Sequence, residues 1–236
     1  MQIALLGYGK MGKEIESVAK ERNHDVAAII DCEDDWMEKI SILRDCDVAI
    51  DFSTPGTAVD NIMKCFSINV PIVVGTTGWY EHLESVIHDC QQQDATLFVA
   101  SNFSIGVNML FDINRRLAQL MNRYQEYNVQ ITETHHIHKL DAPSGTAITL
   151  ANGIIENISR KDSWKLNATA PEELNIVAHR IGEVPGIHQV TYDSDIDTIS
   201  ISHEAKSRKG FALGAVLAAE FINGKKGYFT MQDLLR

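Results

Sequence analysis

The chain opens on a continuous apolar run, Ile3–Leu6, of the kind a parallel sheet buries on both faces. Apolar positions then recur at helical spacing at Met11, Ile15, Val18 and Ala19. Further runs at Val26–Ile30, Val48–Phe52, Ile72–Val74 and Leu97–Ala100 predict four more strands, and the segments near Ala58–Phe66 and Leu83–Cys90 have a helical period. Strands alternating with helices predict βαβ units and a Rossmann-type, doubly wound parallel sheet.

The pattern changes after Ser101-Asn102-Phe103-Ser104. A long amphipathic helix is predicted from Gly106 to Arg123, followed by strands at Val129–Thr134, Ile176–Ile181, His188–Tyr192 and Thr198–Ser202, with a helix near Thr146–Ile158. This predicts a second, α+β domain with an open mixed sheet. The stretch Lys161–Glu173 reads as a mobile loop. Phe211–Phe221 is helical again, and the tail beyond Gly224-Lys225-Lys226-Gly227 is expected to return to the first domain. The expected division is 1–103, completed by 209–236, for a dinucleotide-binding domain, and 104–208 for a substrate-binding and oligomerisation domain.

Composition narrows the function classes. An apolar fraction of 44% over 236 residues supports a full core. A net charge of −11 argues against nucleic-acid binding, which needs a basic face, but leaves room for a small anion in a locally cationic pocket. Cys32, Cys46, Cys65 and Cys90 form no CxxC pair and read as reduced thiols. The N-terminus enters a strand with no basic leader, and no apolar run approaches 18 residues. A cytoplasmic protein with no membrane partner is expected.

Gly7-Tyr8-Gly9-Lys10-Met11-Gly12 fits G-x-G-x-x-G between an apolar strand and an amphipathic helix. The glycines allow a tight turn, close approach of backbone to a pyrophosphate, and close packing of helix on strand. Asp31, nineteen residues beyond Gly12, closes the second strand and offers a carboxylate to ribose hydroxyls. Phe52-Ser53-Thr54-Pro55 and Gly75-Thr76-Thr77-Gly78 fall at strand ends, where such sheets bind ligands.

The densest polar cluster runs from Glu133 to Ala147 and holds His135, His136, His138 and Lys139, followed by Pro143-Ser144-Gly145-Thr146. A histidine exchanges protons near neutral pH, a lysine supplies a cation, and a helix N-terminus is an anion site. Together they suit a small dicarboxylate that is reduced and protonated. No carboxylate or cysteine stands at familiar ligand spacing and Lys139 would repel a cation, so no metal is expected. His138 reads as a strand residue outside the chemistry, and Ser144 lacks a nucleophile elbow. A polar loop with a helix cap is the plainer alternative.

Across Glu133–Ala147 the sequence resembles the E-x-H-H-x-x-K-x-D-A-P-S-G-T-A signature of the dihydrodipicolinate reductase family. The similarity extends to Asp51-Phe52-Ser53, Gly75-Thr76-Thr77-Gly78, Asn102–Asn108, and Ser207-Arg208 with Phe211–Ala215. The resemblance implies His135 as acid/base group, Lys139 as proton donor, and His136, Ser144, Gly145 and Thr146 as substrate contacts. It also implies dinucleotide contacts at Gly7, Tyr8, Gly9, Lys10, Met11, Gly12, Asp31, Phe52, Ser53, Gly75, Thr76, Thr77, Ala100, Ser101, Asn102 and Phe103. The implied reaction is hydride delivery from NADH or NADPH to an imine dicarboxylate derived from 4-hydroxy-tetrahydrodipicolinate, in lysine and diaminopimelate biosynthesis, by a homotetramer.

Two differences from the family pattern touch the adenosine side. The glycine loop is one residue shorter than G-x-x-G-x-M-G, and the interval between Asp31 and Asp51 is short enough to lack a strand found in longer members. Cys32 stands where many members carry a basic residue for a 2′-phosphate, with Lys10 as a candidate substitute. Two other readings remain: a homoserine- or sugar-dehydrogenase-like oxidoreductase, and a non-catalytic NAD(P) sensor.

Overall fold

The computed structural model describes all 236 residues. The chain forms two compact units, Met1–Ile105 with Arg208–Arg236, and Gly106–Ser207.

In the first unit the elements alternate as β1 (Gln2–Leu6), α1 (Lys10–Glu21), β2 (Asp25–Ile30), α2 (Glu33–Arg44), β3 (Val48–Asp51), α3 (Pro55–Ser67), β4 (Ile72–Val74), α4 (Leu83–Gln92) and β5 (Thr96–Val99). The second unit contains most of α5 (Ile105–Met121), then β6 (Asn128–His135), α6 (Gly145–Ile155), β7 (Ser163–Leu166), β8 (Glu173–Arg180), β9 (Ile187–Asp193) and β10 (Thr198–Glu204). The chain then adds α7 (Lys209–Ile222), β11 (Gly227–Phe229) and α8 (Met231–Leu234) to the first unit.

The first sheet has the order β11-β5-β4-β3-β1-β2, and every pair in it is parallel. Successive side chains of a strand point to opposite faces. Accordingly Ala4, Leu6, Ala49, Val74 and Leu97 join one core with Ile62, Phe66 and Val86 of α3 and α4. Ile3, Leu5, Ile50, Val73 and Phe98 join another with Ile15 and Val18 of α1 and Ala215 and Ala219 of α7. Burial on both faces is why these strands read as unbroken apolar runs.

The second sheet is mixed, in the order β10-β9-β6-β8-β7, antiparallel from β10 to β6 and parallel from β6 to β7. One face is covered by α5 and α6, with Leu110, Leu150, Ile154, Ile131, Ile176 and Tyr192 buried together.

Three segments depart from the pattern-based expectation. Residues 33–44, assigned no element from sequence, form the twelve-residue helix α2. Only Trp36 and Leu43 are buried there, so its apolar period is faint. Its start is instead fixed by Asp35, whose carboxylate accepts from the Asp31 and Cys32 amides at 2.8 and 3.2 Å. Lys161–Glu173 is not all loop, because β7 lies within it and pairs with β8. Lys161 ties the two ends of the intervening turn, its Nζ donating to the carbonyls of Pro171 and Glu173 at 2.7 and 3.0 Å. The tail supplies β11, a sixth strand against β5. No helix is long and apolar enough to cross a membrane.

Candidate active site

In the first unit the turn from β1 to α1 is built by sterics. Gly7 has φ +88°, and a Cβ there would lie 2.5 Å from the Phe52 carbonyl oxygen. A Cβ on Gly12 would lie 2.4 Å from the Gly7 carbonyl oxygen, so helix and turn close on each other only with glycine at both places. Gly9, the residue preceding α1, faces open space: nothing lies within 4 Å of a Cβ built on it. That is the cradle a pyrophosphate needs at a helix N-terminus.

Asp31 follows β2 directly, and its Oδ1 accepts from the Tyr8 amide at 2.8 Å, which fixes the carboxylate beside the glycine turn. A pocket of about 420 Å³ opens here, lined by Gly7, Tyr8, Gly9, Asp31, Cys32, Glu33, Trp36, Phe52, Ser53, Thr54, Thr57, Asp60 and Asn61 with Ile30. Three carboxylates line it, and no lysine or arginine does. Lys10 is exposed at the first position of α1 and is not among the lining residues.

A second pocket of about 240 Å³ is lined by Met11, Phe52, Gly75, Ser101, Asn102, Phe103, Arg208 and Phe211. Phe52 packs against Phe103 with ring centroids 5.6 Å apart, and its ring fills the place where a Gly75 side chain would be. The strand-end loops share one buried anchor, Asp51. Its carboxylate accepts from the Ser53 hydroxyl at 3.0 Å, from Asn61 Nδ2 at 2.7 Å and from the Thr76 hydroxyl. Burial pushes the Asp51 carboxyl up, against these hydrogen bonds, which lower it. The Ser53 and Thr76 hydroxyls are thus turned onto Asp51. Ala100 is buried, its amide bonded to Val74, and Thr77 is exposed.

The second unit gathers the polar cluster around Glu133, which is fully buried. Strand register explains the gathering. On β6, Glu133 is opposite His188 of β9, and two residues on, His135 is opposite Arg180 of β8. Residues i and i+2 of a strand share a face, so Glu133 and His135 stand side by side. Glu133 accepts from the Ser144 amide at 3.1 Å and from Arg180 Nη2 at 3.4 Å, and its Oε2 lies 3.6 Å from His135 Nδ1 and 3.7 Å from His188 Nε2. The rings of His135 and His188 meet edge to face with centroids 5.0 Å apart.

Ser144 caps α6, its hydroxyl accepting from the Ala147 amide at 3.2 Å and standing 3.1 Å from His188 Nε2. Ser144 is buried and its polar groups serve the protein. Gly145, the first residue of α6, faces open space, with Thr146 following it. Lys139 holds Asp141 at 2.8 Å, which keeps the Asp141 carboxyl below its usual range. Arg180 fixes this loop from below, donating to the carbonyls of Lys139 at 3.3 Å and Asp141 at 2.6 Å.

Burial pushes His135 below the usual histidine range. Glu133 and Asp141 act to raise it, and Lys139 and Arg180 to lower it further. His136 is half-buried, 6.0 Å from the His138 ring. His138, expected on a strand, lies in the turn beyond β6 and is exposed, paired with Glu183 at 3.1 Å.

Sequence reasoning gave no role to Glu133, Arg180, His188, Asp51, Arg208 or Phe211. A histidine at an inward position of β9, beside Val190 and Tyr192, was a visible signal. So was a glutamate two residues before His135. Donor atoms of Glu133, His135 and His188 lie within 4.8 Å of one another. The Glu133 oxygens accept from the Ser144 amide at 3.1 and 3.2 Å and lie 3.4 Å from Arg180 Nη2, so the carboxylate is shared among hydrogen-bond and ion-pair partners within the protein.

Residues 1–103 match the family model for the N-terminus of dihydrodipicolinate reductase, and residues 106–235 match that for its C-terminus. The chain belongs to the dihydrodipicolinate reductase family. A 4-hydroxy-tetrahydrodipicolinate reductase of Christiangramia forsetii is 48% identical over 235 residues, covering 100% of this chain and 98% of that protein. One of Neisseria meningitidis serogroup C is 36% identical over 203 residues, covering 83% of this chain and 74% of its own. A dipicolinate-bound dihydrodipicolinate reductase from Paenisporosarcina sp. TG-14 superposes with a TM-score of 0.79 at 24% identity, covering 98% of this chain and 97% of that one. A myo-inositol dehydrogenase-like structure from Sinorhizobium meliloti shares the fold alone, with a TM-score of 0.55 at 13% identity over 93% of this chain and 89% of its own. The dihydrodipicolinate reductase fold therefore covers both units of the chain.

Proposed function

We propose that this chain reduces 4-hydroxy-tetrahydrodipicolinate to tetrahydrodipicolinate with NADH or NADPH, the 4-hydroxyl leaving as water, as an enzyme of lysine and diaminopimelate biosynthesis. The observation that carries this reading is the gathering of His135, Lys139 and the open Gly145 end of α6 in one family-matched unit. The first unit supplies the matching cofactor cradle. Gly7, Gly9 and Gly12 receive the pyrophosphate, Asp31 receives ribose hydroxyls, and Met11, Phe52, Gly75, Ser101, Asn102 and Phe103 line the nicotinamide side, with Ala100 and Thr77 adjoining it in the chain.

The dinucleotide, when bound, supplies the hydride. The protein's residues do the rest. One substrate carboxylate is held by the Gly145 and Thr146 amides at the positive end of α6, with Ser144 shaping the turn from beneath. The second is held by His136. Lys139, steadied by Asp141, presents its ammonium as proton donor, and His135 exchanges the proton. The dipicolinate bound to the Paenisporosarcina protein is a planar dicarboxylate of the kind such a site would hold. A cytoplasmic homotetramer is part of the same reading.

The test is a coupled assay with pyruvate, aspartate semialdehyde and the upstream synthase. Oxidation of NADH or NADPH that depends on the synthase is expected. No synthase-dependent oxidation with either cofactor would overturn the reading, and would leave a non-catalytic dinucleotide-binding protein.

A further inference from the structure

Glu133 is a carboxylate with no exposed surface, in a site where the reaction proposed above asks nothing of it. A buried charge is costly unless several groups compensate it. Here they come from four elements: the Ser144 amide at the start of α6, Arg180 from β8, His135 from β6 itself and His188 from β9. The same Arg180 donates to the carbonyls of Lys139 and Asp141, so the loop that carries Lys139 is tied to the same point.

We propose that Glu133 is the positioning residue of this site: it sets a negative charge against the Nδ1 side of His135, while tying the anion-binding end of α6 and the Lys139 loop to the same carboxylate. The inference rests on the functional reading above. Its physical basis is the arrangement of charge around His135. Nδ1 of His135 faces Glu133 at 3.6 Å and has no hydrogen-bond partner, so the carboxylate is the group it meets when it takes a proton. Arg180, opposite His135 across the β6–β8 register, and Lys139 act in the other sense. Asp141 acts in the same sense as Glu133, and His188 stands neutral at the ring edge, backed by His203 across the β9–β10 register. Glu133 and Arg180 therefore pull His135 in opposite directions from within one ion pair.

That opposition gives a test a merely structural role would not satisfy. Glu133→Gln keeps the side-chain shape and removes the charge, whereas Arg180→Gln removes the opposing cation. The titration of His135 would be followed by NMR on histidine-labelled full-length protein with NADH bound, beside the pH profile of kcat in the coupled assay. The expected result is a His135 titration displaced to lower pH by about one unit in Glu133→Gln and to higher pH in Arg180→Gln. The limb of the kcat profile governed by His135 should move with it, and Glu133→Asp should restore the wild-type position. In Glu133→Gln, kcat at neutral pH should fall about tenfold, with KM for the cofactor unchanged.

Displacements of the same sign in both variants, or unmoved titrations with activity scaled down uniformly, would overturn the proposal. If Glu133→Gln does not fold, Arg180→Gln and Glu133→Asp still decide it, since an unmoved His135 in Arg180→Gln is contrary to the charge argument. A wild-type protein inactive in the coupled assay would refute the functional reading instead, and the NMR titrations would still judge Glu133.

Discussion

The Ser144 hydroxyl stands 3.1 Å from Nε2 of His188, so the residue that caps α6 also touches a histidine buried at the start of β9. Burial, then the neighbouring His135, His203 and Lys139, push His188 down to about 3. Folded His188 is therefore neutral, whereas in the unfolded chain it titrates near 6.5. Between these values the unfolded chain binds the extra proton. Stability present above pH 6.5 is lost as pH falls through this window, at up to about 1.4 kcal/mol per pH unit from this residue. Urea unfolding from pH 7 to pH 4 should show that loss, and His188→Gln should flatten it. Equal slopes in both proteins would contradict the neutral, buried state.

Cofactor choice follows from the pocket beside Asp31. Asp31, Glu33 and Asp60 line it and no basic side chain does, so a 2′-phosphate would meet negative charge without compensation. NADH should be used at least as well as NADPH. Asp31→Ala should raise KM for NADH by about tenfold, the loss of one or two charge-assisted hydrogen bonds, and should affect NADPH far less. Steady-state kinetics with both cofactors checks this, and a wild-type preference for NADPH that Asp31→Ala leaves untouched would remove the role of Asp31.

The proposed pair of carboxylate subsites predicts a simple inhibitor series. Pyridine-2,6-dicarboxylate should compete with the substrate, and pyridine-2-carboxylate should bind at least about tenfold more weakly, having lost one charged contact. Gly145→Val would fill the open space at the start of α6 and should abolish the difference. Equal inhibition of the wild-type protein by both compounds would rule out the paired cradle.

Replacement of His135 or Lys139 separates a chemical role from a cap-and-loop role. Loss of a general acid or base lowers turnover by on the order of 10² to 10⁴. His135→Asn should act mainly on kcat. Lys139→Ala should lower kcat, and should also raise the substrate KM, as expected of an ammonium proposed to pair with a substrate carboxylate beside His136 as well as to donate a proton. Cofactor affinity, measured by titration, should survive both changes, because the glycine turn and Asp31 belong to the other unit. Near-normal turnover in a folded, cofactor-binding variant would exclude that residue from the chemistry.

The parallel sheet was legible because strands buried on both faces leave continuous apolar runs. β1 and β3–β5 could be read at once from Ile3–Leu6, Val48–Phe52, Ile72–Val74 and Leu97–Ala100. The glycine turn, Asp31 and the His135–Thr146 run are contiguous or regularly spaced, so they could be singled out as candidate site residues from residue order. Helix α2 could not, since only Trp36 and Leu43 of it are buried and its start depends on Asp35 reaching back to Asp31 and Cys32. Nor could β7 and β11, short edge strands whose pairing with β8 and β5 is set by partners distant in sequence. The same holds for the Glu133 cluster. Local sequence fixes which residues share a strand face, but the meeting of Glu133 with His188, Arg180 and Ser144 depends on the register of three strands and the seating of α6. Register and packing are decided by long-range burial, and that information exists only once the chain has folded.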